Sequence, residues 1–203
     1  MPEDLLNEDT ALGMMRAEHQ HIEELLNTCL TADQPDFLRQ AMSVLLPALH
    51  VHFTLEREIF FPFITKLMPE RDVLLGKAPV DEFRRLRQDN VTMMALAEQL
   101  QQMDPTNFSF KPTVSRLAGT FEHHSYLQEA YIYPLLEMSD DDTHNALIRL
   151  AFDLKRRKDA VLSGLSAGAK KQAATNQMQA QTNISAGPFG PDAASGEQSA
   201  HGT

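Results

Sequence analysis

The chain has 203 residues, 42% of them hydrophobic, which is enough for one domain with a real core and cramped for two. A formal net charge of −10 argues against nucleic acid as the partner, because phosphate binding needs a basic face. One cysteine, Cys29, excludes an internal disulfide and a cysteine-based zinc site, and no apolar run approaches the roughly 20 residues that span a membrane.

The opening stretch, Met1 to Asp9, lacks the basic and apolar regions of a signal peptide, so a cytoplasmic protein is expected. Asp9 or Thr10 then caps a first predicted helix running to about Leu30, with Leu12, Met15, Ile22, Leu25 and Leu26 at helical spacing. His19 lies in the middle of that apolar series, whereas His21 points elsewhere. Thr31 to Gln34 form a turn, and Pro35 suits the first turn of a second helix that continues to about Met68. Pro47 should bend this helix or remove a hydrogen bond, and Pro62 should reorient its last segment. Between them, His52 and Glu56 stand four apart and project from one helix face. Phe53, Ile59, Phe60 and Phe63 turn that helix towards a core. Imidazole and carboxylate presented together into a bundle is how such folds hold iron or manganese; a surface hydrogen-bonded pair is the plainer reading of the same spacing.

Pro69 to Pro79 read as a loop. A third helix from about Val80 to Met103 carries Phe83, Leu86, Met93, Leu96 and Leu100, and Asp104 to Pro112 form the next loop. The fourth helix, to about Met138, holds Glu122-His123-His124 and then Gln128-Glu129. Ser139 and the acids behind it open a fifth helix, striped by Leu147, Leu150, Leu154, Val161 and Leu162 and ending near Leu165. This helix is expected to pack outside the bundle. The basic runs Arg84, Arg85, Arg87 and Lys155 to Lys158 read as solvated faces. From Ser166 the composition turns to Ala, Gln, Gly, Ser, Asn and Thr, too poor in apolar surface to offset its ordering entropy, so residues 166–203 are read as a disordered tail.

The two halves of the helical region repeat. Seventy-two residues after His52 and Pro62 stand His124 and Pro134, and Ile59-Phe60-Phe61-Pro62 is answered by Tyr131-Ile132-Tyr133-Pro134. Leu45 and Leu49 are answered by Leu117 and Phe121. At an offset of 71, Glu18-His19, Ile22 and Leu25 are answered by Asp89-Asn90, Met93 and Leu96. The chain therefore reads as two copies of a helix pair, with a histidine slot on each helix.

A histidine, then His-x-x-x-Glu closing on an aromatic-Pro motif, then the same again, resembles the hemerythrin-like (HHE cation-binding) domain over about residues 9 to 138. The resemblance implies an all-α, up-down antiparallel four-helix bundle, here residues 1–138. The accessory fifth helix (139–165) and the tail lie outside it. It further implies a non-haem di-iron site of histidines and bridging carboxylates, with oxygen, nitric oxide or redox state as what is bound or sensed. Carried over by position, the ligands are His19, His52, Glu56 and His124. Asn90 stands in the third-helix histidine slot and Gln128 in the last carboxylate slot, so a mononuclear site is an alternative to a di-iron one. Glu129, one position beyond Gln128, is the expected substitute ligand, with His123 and Glu23 as further candidates. The expected role is non-enzymatic binding of a small diatomic ligand. Iron handling or iron-sulfur repair, and an interaction module with a decayed site, are the alternatives.

Overall fold

The computed structural model describes residues 10–67, 78–138 and 141–185, and among these the chain is helical with no strand. It divides into two compact units, Met1–Ser163 and Gly164–Thr203.

Helix α1 (Ala11–Thr31) starts where the side chain of Thr10 accepts the amide N–H of Gly13 at 3.0 Å, satisfying a donor the helix itself cannot pair. Its inward stripe is Met15, His19, Ile22, Leu26 and Cys29, each under 3% exposed. Helix α2 (Pro35–Leu55) opens on a proline whose missing N–H costs nothing there, and it runs through Pro47 without ending. It continues into a π turn (Glu56–Phe60) and then a helical segment, 61–67. Helix α3 is Ala78–Gln101. Helix α4 (Phe110–Leu127) passes into a second π turn (Gln128–Ile132) and a closing turn, Tyr133–Glu137.

α1 packs on α2 and α4, and α3 packs on the same two helices, which closes an up-down four-helix bundle. Its apolar half is filled by side chains such as Ile22, Leu45, Leu49, Val114, Leu117 and Phe121, none exposed. Burial of each contributes about 1.5–3 kcal/mol.

The two π turns explain what the repeated aromatic-Pro motif does. Pro62 and Pro134 have no N–H to give to a carbonyl four residues back, so the regular ladder fails ahead of each. In both places the chain widens by one residue: Phe61 N–H reaches Glu56 O, and Tyr133 N–H reaches Gln128 O. Glu56 and Gln128, the residues four after His52 and His124, open these turns.

Helix α5 (Asp141–Ser185) lays Leu150, Ala151, Leu154 and Val161 against the bundle within the first unit. Arg157 pairs with Glu58 at 2.7 Å and Lys158 pairs with Glu18, so part of the basic run read as solvated is bonded. The helix extends to Ser185, beyond the end expected near Leu165. The Ala-, Lys- and Gln-rich stretch after Ser166 is poor in packing surface but rich in good helix formers, and that propensity carries the helix past its apolar stripe. Residues 186–203 of that tail, the capping residues 139 and 140, and residues 68–77 lie outside the described residues, and Ala78 and Pro79, expected in the loop Pro69 to Pro79, open α3 instead. No described helix is long and apolar enough to cross a membrane.

Candidate metal centre

Each helix of the bundle brings a polar side chain to one level of the core: His19 from α1, His52 and Glu56 from α2, Asn90 from α3, and His124 with Gln128 from α4. All are buried, and His52, Glu56, His124 and Gln128 are 0% exposed. The three imidazole rings converge, with centroids 5.1 Å apart for His19 and His52, 5.9 Å for His52 and His124, and 6.2 Å for His19 and His124. Phe121 lies against all three and closes the apolar side.

Glu56 is the centre of the hydrogen bonding. Its Oε1 lies 2.8 Å from His124 Nε2, and His52 Nε2 stands 3.5 Å away without a hydrogen bond. Asn90 Nδ2 donates to Oε2 at 2.6 Å, and Gln128 Nε2 donates to Oε1. The buried hydroxyl of Tyr133 donates to Gln128 Oε1 at 2.8 Å, which turns the amide nitrogen of Gln128 towards Glu56. The two amides in the variant slots thus hold the carboxylate from two helices.

The electrostatics follow from this packing. Burial pushes the Glu56 carboxyl up, but the charges of His124 and His52 and the hydrogen bond from His124 outweigh it and hold it at about 2. Burial drives His52 down to about 3, with His19 and His124 adding to the fall and Glu56 opposing it. The Tyr133 phenol is pushed well above its ordinary value, first by burial and then by the negative charge of Glu56.

One ligand atom from each of His19, His52, Glu56 and His124 lies within 4.8 Å of the others. Donors bonded to one ion at about 2.0–2.2 Å stand roughly 3–4.4 Å apart, so these four are near enough to share one ion after side-chain adjustment. Four imidazole nitrogens (His19 Nε2, both of His52, and His124 Nδ1) are buried with no hydrogen-bond partner. Buried polar atoms are nearly always paired, and leaving one unpaired costs about 1–3 kcal/mol. A cation among three imidazoles and a carboxylate accounts for this arrangement, and the nitrogen-oxygen donor set suits iron, manganese or zinc.

A family model, the hemerythrin HHE cation binding domain, matches residues 10–136, more than half of the chain. The chain belongs to this hemerythrin family. Comparison with curated proteins and with solved structures returns no match.

The HHE site brings together four of the five residues expected from sequence. The fifth, Glu129, stands outside the group: it is 41% exposed, and its Oε1 lies 2.8 Å from His19 Nδ1. A carboxylate on the far nitrogen of a histidine fixes its tautomer and leaves the other nitrogen for a metal. His123 is half exposed and bonded to Asp89 at 2.8 Å, and Glu23 is exposed and accepts from Ser125 Oγ at 2.8 Å. Neither joins the group. Sequence reasoning missed Tyr133 and the donor role of Asn90 and Gln128. The available signal was the aromatic-Pro motif, which carries Tyr133 as its third residue.

Proposed function

We propose that this hemerythrin-like chain is a non-haem iron protein that binds or senses a small diatomic ligand, oxygen or nitric oxide, at a single ion held by His19, His52, His124 and Glu56. The observation that carries the reading is the set of partnerless buried imidazole nitrogens around a fully buried carboxylate.

The count of one ion rests on what fills the variant slots. A second ion needs further donors around Glu56, and beside its two oxygens the chain presents the amide nitrogens of Asn90 and Gln128. An N–H group donates to Glu56 and offers no lone pair to a cation. Both Glu56 oxygens carry such a bond, which argues for a terminal carboxylate over a bridging one. The same network argues against a decayed site, since Asn90 and Gln128 are 4% and 0% exposed and both are bonded.

Iron held by His19, His52, His124 and Glu56 would supply open coordination positions for a diatomic ligand. The chain's own residues define what surrounds those positions. His19, His52 and His124 provide neutral donors, Phe121 excludes water from one side, and Glu129 orients His19. Reversible binding without turnover fits a pocket whose buried tyrosine is held by Gln128 and whose single cysteine lies away among Ile22, Leu26 and Met42.

The test is optical. Protein loaded with ferrous ion without oxygen, then exposed to nitric oxide or oxygen, should change its absorption spectrum and recover it on removal of the gas. A loaded protein whose spectrum neither gas alters would reject the diatomic ligand.

A further inference from the structure

On the outer side of the site, between α1 and α4, lies a groove of about 780 Å³. One wall is the α1 face Arg16, His19, Gln20 and Glu23; the other is an α4 face that includes Gly119, Glu122 and Glu129. His19 belongs to both this groove and the buried ligand group, whereas His52, Glu56 and His124 do not line it. Three carboxylates, Glu23, Glu122 and Glu129, face one guanidinium, and that Arg16 is already bridged to Glu137 at 2.8 Å. The groove is therefore negative, and it is lined by His19, which is 2% exposed, bonded at Nδ1 to Glu129 and without a partner at Nε2.

We propose that this groove is the loading route by which a hydrated divalent cation reaches the ligand group, gathered by Glu23 and Glu122 and delivered to His19 beside Glu129. The proposal rests on the metal-centre reading and adds a second, transient cation site to it. An acidic cleft with low-dielectric walls raises the local concentration of cations and their rate of entry. The bond from Glu129 holds His19 by Nδ1 and leaves Nε2 as the atom that receives the ion. Water is shed stepwise along the route, first to exposed carboxylates and then to buried imidazoles. Gly119 lines the groove, and a Cβ placed there meets no atom within 4 Å, so a side chain can start there without strain. A helix interior favours leucine over glycine, and a leucine at this wall narrows the groove.

The experiment is stopped-flow uptake of cobalt(II) by metal-stripped full-length protein, followed by its visible bands, with bound cobalt per chain measured after equilibration. Gly119→Leu and the double variant Glu23→Gln/Glu122→Gln should each load about tenfold more slowly. Both should reach the wild-type spectrum and the wild-type cobalt content. Uptake by wild type should slow with added salt, and the double variant should lose most of that dependence. Wild-type loading rates in both variants would overturn the route while leaving the metal centre intact. A loss of final cobalt content with unchanged rate would also overturn it, since the groove residues would then be holding the ion and not passing it. Failure of the wild type itself to take up cobalt would overturn the metal-centre reading, and the route with it.

Discussion

Asn90 donates its amide hydrogen to Oε2 of Glu56 at 2.6 Å, from a different helix and with both side chains buried. The residue that departs from the expected histidine is thus a direct support of the Glu56 carboxylate. Asn90→Leu removes that donor from a buried carboxylate and should destabilise the metal-free protein by about 1–3 kcal/mol in chemical denaturation. The opposite change tests the ion count. Asn90→His with Gln128→Glu replaces both donors by ligands and should raise bound metal per chain from one to two, whereas unchanged content would show that the slots do not limit it.

Glu129 reaches His19 Nδ1 and is not among the converging ligand atoms. Replacing it by Ala should weaken metal binding by about 10- to 100-fold and leave the number of ions per chain unchanged. Loss of a whole ion would make Glu129 a ligand. His123→Ala should leave affinity as it is, because that ring pairs with Asp89.

Much of this site was legible in the repeat. Helical periodicity put His19 and His52 on inward stripes, and the offset of 72 carried His52 onto His124. The family resemblance then gathered those histidines and Glu56 into one ligand set. Glu129 was harder to place because the reading treated α4 as regular through Pro134. The π turn at Gln128–Ile132 adds a residue to that turn, and the group that Glu129 bonds, His19, comes from α1. The donor role of the amides is hidden for a similar reason. A residue name says that Asn and Gln are weak ligands, but only the packing shows both pointing nitrogen at one carboxylate. The length of α5 depended on helix propensity beyond Leu165, where the apolar stripe had already ended.

Acid should destabilise the metal-free protein in a defined window. His52 falls from 6.5 to about 3 on folding, so below pH 6.5 the unfolded chain takes a proton that the folded one refuses. Glu56 falls from 4.5 to about 2, and there too the unfolded state protonates first. Stability should therefore be lost as the pH drops from about 6.5 towards 2. His52→Leu should flatten the upper part of that decline in pH-dependent denaturation. A metal-free protein equally stable at pH 4 and pH 7 would contradict these environments.

Cys29 is buried against Met42, with its Sγ 3.7 Å from the thioether, and burial raises the thiol from 9.0 to about 11. At neutral pH almost no thiolate is present and the sulfur is out of reach. The native protein should react with a disulfide reagent only on the timescale of unfolding, and one equivalent should react promptly in denaturant. Rapid native reaction would show that this end of the core opens.

The central claim is that His19, His52, His124 and Glu56 hold one ion. Anaerobic titration with ferrous ion, followed by metal analysis of the desalted protein, tests it most directly. One iron per chain in wild type, lost in both His52→Ala and Glu56→Ala while helical content is kept, is the predicted result. No retained iron in wild type, two per chain, or full retention in both variants would contradict it.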